Sequence, residues 1–300
     1  MFAGLSAFPL TPLRNDEVDE VAYAGLIERL VAAGVDSITA LGSTGAYPYL
    51  TTDERRRVAR VALEHAGSVP VVVGVGALRT SQVIGLARDA ADAGASGVLL
   101  APMSYQPLTD DDVFGLYEDV AAAVPLPVIV YDNPGTTHFE FSDALYARIA
   151  QLPNIASIKI PGVPAEPDAA RARVEQIRSA VSDRVTIGIS GDASAARGLN
   201  AGCDTWYSVI GGTLPEAALA ICRAARSGDA AAAMAESDRL QPLWDLFAEH
   251  GGSFRVIAAI AELGGLVTPN SLPLPVRGLD RTARDRVARV VRELGLIPPA

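Results

Sequence analysis

Lysine is all but absent from this 300-residue chain: Lys159 is the single example, and every other basic residue is an arginine. Cysteine is nearly as scarce. Cys203 and Cys222 lie in apolar stretches, which excludes a disulfide framework and reads as two small buried hydrophobes in a reducing compartment. The histidines His65, His138 and His250 are far apart and show no metal-ligand spacing. No uncharged apolar run approaches the roughly 18 residues that mark a membrane span, and Met1-Phe2-Ala3-Gly4-Leu5 lacks the parts of a secretory signal. Basic runs that could hold a polyanion are also missing. With 25 basic against 35 acidic residues the net charge is −10, so neither nucleic acid nor a membrane surface is an expected partner. The expected location is cytoplasmic.

What is present is a rhythm. Short apolar runs at Gly4–Leu10, Val35–Leu41, Val69–Val75, Gly97–Leu100, Val128–Tyr131, Ile155–Ile160, Val185–Ile189 and Cys203–Val209 alternate with longer amphipathic segments. The Val69–Val75 run is nearly continuous valine, as expected for a strand covered on both faces. Strictly alternating strands and helices imply a parallel sheet, and eight such units imply closure. The expected fold is therefore α/β, a (β/α)8 TIM barrel over residues 1–227, followed by a C-terminal helical extension over 228–300. Three helices are expected there, Asp229–Glu249, Phe254–Leu263 and Arg281–Leu294. An open doubly wound sheet is the alternative, but no Gly-x-Gly-x-x-Gly follows the first strand.

In a closed barrel the chemistry sits at the carboxyl ends of the strands. Lys159 falls near the end of the sixth strand, on the same face as Ser157 by strand alternation. Burial there penalises the ammonium, lowers its pKa and yields an amine able to attack a carbonyl. Arginine cannot serve, because its guanidinium stays protonated. The pattern alone leaves open an ion-paired or snorkelling lysine. Tyr131 ends the fifth strand and can shuttle a proton, or simply pack under a loop. The turn Gly42-Ser43-Thr44-Gly45 offers two hydroxyls and several N–H groups to one anion, or is ordinary loop chemistry. Gly211-Gly212 follows the eighth strand, where many barrels hold phosphate. The Arg55-Arg56-Arg57 run reads as a solvated helix face.

Together, Gly42-Ser43-Thr44-Gly45, Tyr131-Asp132-Asn133-Pro134-Gly135, Ile158-Lys159, Ser190-Gly191-Asp192 and Leu272-Pro273-Leu274-Pro275 resemble the dihydrodipicolinate synthase / N-acetylneuraminate lyase family along the whole chain. The resemblance implies a Schiff-base lyase of the class I aldolase type, with Lys159 attacking the ketone of pyruvate or a related 2-oxo acid. It implies Ser43 and Tyr131 as the proton relay, and Thr44 with Ser43 on the substrate carboxylate. Gly191 and Tyr207 line the pocket, with Tyr105 and His138 as further substrate contacts. Neither metal nor organic cofactor is needed. The implied partners are pyruvate and an unidentified aldehyde, and the implied assembly is a homotetramer.

Three departures bear on the reaction. Synthases of this family carry an arginine after the Tyr-x-x-Pro-Gly turn for the aldehyde's carboxylate, where this chain has Thr136. Ala46 replaces an acidic residue, and Ser104 stands where a neighbouring subunit's tyrosine usually joins the relay, with Tyr105 one place later. The expected activity is carbon–carbon bond formation or cleavage through an enamine. The alternatives are 4-hydroxy-tetrahydrodipicolinate synthase of lysine biosynthesis, a non-catalytic 2-oxo-acid binding relative, and a barrel enzyme binding phosphate at Gly211-Gly212.

Overall fold

A computed structural model describes residues 2–297. Eight parallel strands close into a barrel: β1 (Gly4–Ala7), β2 (Ser37–Ala40), β3 (Val71–Gly74), β4 (Gly97–Leu100), β5 (Val128–Tyr131), β6 (Ile155–Ile160), β7 (Thr186–Ile189) and β8 (Thr205–Ser208). Closure is made by β1 against β8, with Gly4 opposite Thr205 and Ala7 opposite Ser208. All eight predicted runs are strands. A two-stranded hairpin, Leu13–Arg14 with Glu17–Val18, was not expected from the sequence.

The strands stay buried on both faces because two separate apolar groups cover them. Outside, Leu, Ile and Val side chains pack against the helices. Inside, Phe8, Val72, Leu99, Ile129, Tyr131 and Tyr207 fill the barrel. Helix starts are fixed by local chemistry: Thr51 and Glu54 form a reciprocal cap at Thr52–His65, and Thr109 and Asp112 do the same at Asp110–Ala123.

Beyond the barrel, the predicted helix Asp229–Glu249 is broken in two, Ala230–Arg239 and Gln241–Glu249. Pro242, in the first turn of the second helix, has no N–H for the preceding turn, and so a new helix begins there. Phe254–Leu263 and Arg281–Glu293 follow, giving four helices after residue 228 among the described residues instead of three. Arg284 pairs with the buried Glu262 carboxylate, joining two helices of this portion, and the backbone N–H of Leu13 donates to the Ser271 carbonyl, tying it to the hairpin after β1. Among the described residues no helix is long and apolar enough to cross a membrane.

Gly188 of β7 lies opposite both Lys159 and Thr205, in the layer that carries the lysine. A Cβ there would stand 2.2 Å from the Tyr207 ring, so the glycine is what lets that ring enter the barrel. Gly188→Ala should destabilise the fold by about 1–3 kcal/mol through overpacking. Thermal unfolding monitored by circular dichroism checks this, and an unchanged midpoint would contradict the packing described.

Candidate active site

Register places the two central groups side by side. Tyr131 on β5 pairs with Lys159 on β6, so both side chains enter the barrel at one level. Lys159 is 4 % exposed. Its Nζ lies 4.3 Å from the centre of the Tyr131 ring, 5.0 Å from that of Phe8 and 6.0 Å from that of Tyr207. Burial among these rings lowers the lysine pKa, against the opposing pull of Tyr131, Asp192 and Asp132. A neutral amine is the outcome such surroundings favour.

Tyr131 is held by three partners. Its hydroxyl lies 3.1 Å from Ser43 Oγ, and Asn133 Nδ2 donates to the same oxygen at 2.9 Å. Its backbone N–H donates to the Tyr117 hydroxyl, which in turn donates to the Leu100 carbonyl. With the amide supplying one hydrogen bond, the phenol's own proton is free for Ser43 or for a reacting oxygen. Thr44 is buried next to Ser43 in the turn after β2. Tyr207 reaches the amine through its ring, while its hydroxyl donates to Ser157 Oγ at 2.6 Å. Gly191 opens the turn after β7 with a positive φ of 79°.

Two expected contacts are not brought to this centre. Tyr105 is 90 % exposed in the loop after β4. His138 is exposed at the end of the single turn Pro134–Thr137, where it takes a left-handed conformation. Neither lines the cavity beside Ser43.

Three supporting groups escaped the sequence reading. Asn133 sits inside a motif that sequence singles out, but nothing in the string shows that its amide turns back onto Tyr131. Arg55 is buried, not solvated like Arg56 and Arg57: its guanidinium donates to the carbonyls of Gly74 and Gly76 and lies over the Tyr47 ring. It is on the inward face of its helix, and burial pulls it down to about 10. Asp192 accepts N–H groups from Val209 and Ile210 and from the Trp206 indole, joining the turn after β7 to β8 and the turn beyond it.

Gly211 and Gly212 do not form an anion cradle. The Gly211 N–H donates to Ser208 Oγ, that of Gly212 to the Val209 carbonyl, and a Cβ on Gly212 would lie 2.1 Å from the Phe8 carbonyl oxygen. Both glycines serve close packing of the turn against β1, and the phosphate reading has no donors left to it.

A desolvated amine beside a phenol and an alcohol, at the mouth of a closed (β/α)8 barrel, is the equipment of a Schiff-base lyase of the class I aldolase type. The comparisons with known proteins agree. Residues 1–294 match the model described as "Dihydrodipicolinate synthetase family", and the chain belongs to that family. The 4-hydroxy-tetrahydrodipicolinate synthase of Phenylobacterium zucineum is 32% identical over 302 residues, 99% of each chain. The crystal structure of dihydrodipicolinate synthase from Agrobacterium tumefaciens superposes with a TM-score of 0.93 at 45% identity, over 98% of each chain. The chloride-inhibited dihydrodipicolinate synthase of Acinetobacter baumannii, solved in complex with pyruvate, has a TM-score of 0.88 at 26% identity, covering 99% of this chain and all of that one.

Beneath the site, Asp132 accepts from the Tyr146 hydroxyl through Oδ2, while its Oδ1 is buried without a partner. Desolvation raises its pKa from 3.8 to about 6, against the Tyr146 hydrogen bond. The folded chain thus holds this proton more tightly than the unfolded one. The stability linked to it is full below pH 3.8, declines as pH climbs to about 6, and stays lost above. Asp132→Asn keeps an acceptor for Tyr146 without the charge. Its melting temperature should rise relative to the parent between pH 4 and pH 7, a gain on the order of 1–3 kcal/mol. A constant difference across that window would refute the assignment.

Proposed function

We propose that this lyase takes pyruvate, or a substrate that yields it, and joins or cleaves a carbon–carbon bond with an aldehyde. The observation that carries the reading is the dry Lys159 amine set against Tyr131, whose hydroxyl is 3.1 Å from Ser43. In this reading Lys159 attacks C2 of the 2-oxo acid, and Ser43 with Thr44 receives the carboxylate. Tyr131 donates a proton as the carbinolamine loses water and accepts one as C3 is deprotonated. The protonated imine draws electrons from C3, which makes the enamine that attacks the aldehyde. Asn133 keeps the phenol aimed at Ser43, and Gly191 and Tyr207 complete the wall. The names of the relatives favour 4-hydroxy-tetrahydrodipicolinate synthase as a second reading. Thr136, in place of the guanidinium such synthases are expected to hold, counts against it. The family resemblance supports a homotetramer, and the low cysteine content a cytoplasmic setting.

Borohydride with pyruvate should leave one 1-carboxyethyl group, the reduced imine, on the peptide containing Lys159, and Lys159→Arg should abolish both adduct and turnover. Mass spectrometry of the digest reads this directly. An unmodified peptide rejects the proposal. An adduct without solvent exchange of the C3 protons would instead mark a binding protein. Asn133→Leu removes one hydrogen bond to the phenol and should lower kcat about tenfold with little change in the KM for pyruvate. Steady-state kinetics checks it, and an effect confined to KM would place Asn133 in binding alone.

A further inference from the structure

From Ser43 a cavity of about 350 Å³ opens toward the surface of the barrel mouth. Its walls are Tyr47, Pro48, Tyr49, Met103 and Phe254, together with the hydroxyl-bearing Ser104, Thr136 and Thr137. Phe254 comes from beyond the barrel, on the helix Phe254–Leu263. Among the described residues, every lining side chain is uncharged. The cations near these walls are turned elsewhere. Arg55 stands behind Tyr47 with two nitrogens committed to backbone carbonyls, and Arg255 is exposed and donates to the Arg277 carbonyl. The hydroxyls of Thr136 and Thr137 both contact the Asn133 carbonyl.

A carboxylate entering this space would leave water and meet no guanidinium or ammonium, a costly transfer for an ion. A flat apolar ring would instead meet two phenol rings, a phenyl ring, a proline and a thioether, surfaces that favour aromatic contact. We infer that the second substrate is an uncharged aryl aldehyde, with its ring between Tyr47 and Phe254 and its carbonyl toward Ser43 and Tyr131. The inference rests on the imine-forming role of Lys159 proposed above.

The step balances without an added oxidant or reductant. Pyruvate C3 gives up one proton to the relay as the enamine forms. The enamine C3 then bonds to the aldehyde carbon, and the carbonyl π pair moves onto oxygen, which takes a proton from Tyr131. The C2–N iminium is restored, water adds at C2, and the Lys159 amine leaves. The product is a 4-aryl-4-hydroxy-2-oxobutanoate containing every atom of both substrates, and the reverse sequence cleaves it.

The test uses the full-length protein with pyruvate and three aldehydes: benzaldehyde, 4-formylbenzoate and succinate semialdehyde. Borohydride trapping on Lys159 is run in parallel, so that the two readings can fail separately. The kcat/KM for benzaldehyde should exceed that for either carboxylated aldehyde by at least about tenfold, the charge being unpaired in the second case. Thr136→Arg, which introduces a guanidinium into the lining, should narrow or invert that ratio. Phe254→Ala should raise the KM for benzaldehyde more than for succinate semialdehyde. If the adduct forms and a carboxylated aldehyde is preferred, or no aldehyde is consumed, the inference is overturned while imine formation stands. If no adduct forms, both fall. The panel on the unsubstituted protein decides the matter even where a variant fails to fold.

Discussion

The desolvation of one amine governs the centre of this molecule. Lys159 stands among three aromatic rings inside a closed barrel, and water cannot solvate an ammonium there. Low local polarity alone favours the neutral form of the lysine, the form that carries a nucleophilic lone pair. Two acidic side chains temper that effect, since Asp192 and Asp132 both pull the lysine pKa back up while their own are pushed up by burial. The site is thus a mutual compromise among buried ionisable groups, with neutral hydrogen-bond donors satisfying much of what charge cannot. Asp192 shows the arrangement most fully, taking two backbone N–H groups and an indole N–H.

The barrel was legible because each strand is written as a compact β-rich run with a helix behind it. Nothing in the loops had to be known to count eight of them. The convergence of the candidate trio was legible for a related reason: the ends of parallel strands all face one way, so Ser43, Tyr131 and Lys159 share a mouth. What was hidden depended on side-chain direction. Arg55 belongs to a run of three arginines, and only the helix phase separates the one that turns inward from the two that meet water. Asn133 was hidden because a loop amide can point anywhere, and its bond to Tyr131 follows from the turn's final shape. Tyr105 and His138 differ in the opposite way, standing outside the centre within one chain. Proximity in sequence to the strand ends suggested contact, but loops at the rim can also lead side chains into solvent.

The helices beyond residue 228 are more than an appendage, because one of them reaches the mouth of the barrel. Phe254 shares with Tyr47, Tyr49 and Ser43 the lining of one cavity. The chain therefore divides its recognition problem. Hydroxyls, a phenol and the amine form the inner floor. Neutral aromatic and thioether surfaces form the outer vestibule. The neutral Thr136 and the neighbouring Tyr47, Pro48 and Tyr49 leave that vestibule without a charged side chain among the described residues.

Barrel closure also has a temporal meaning. The rings that shield Lys159 are supplied by β5 and by the first and last segments of the barrel, Phe8 just after β1 and Tyr207 on β8. A nascent chain emerging from the ribosome holds its lysine long before Tyr207 has been synthesised. During that interval the amine is an ordinary solvated ammonium, inert toward the carbonyl metabolites around it. The surroundings that lower the lysine pKa are therefore complete only once the final strand has been laid against the first.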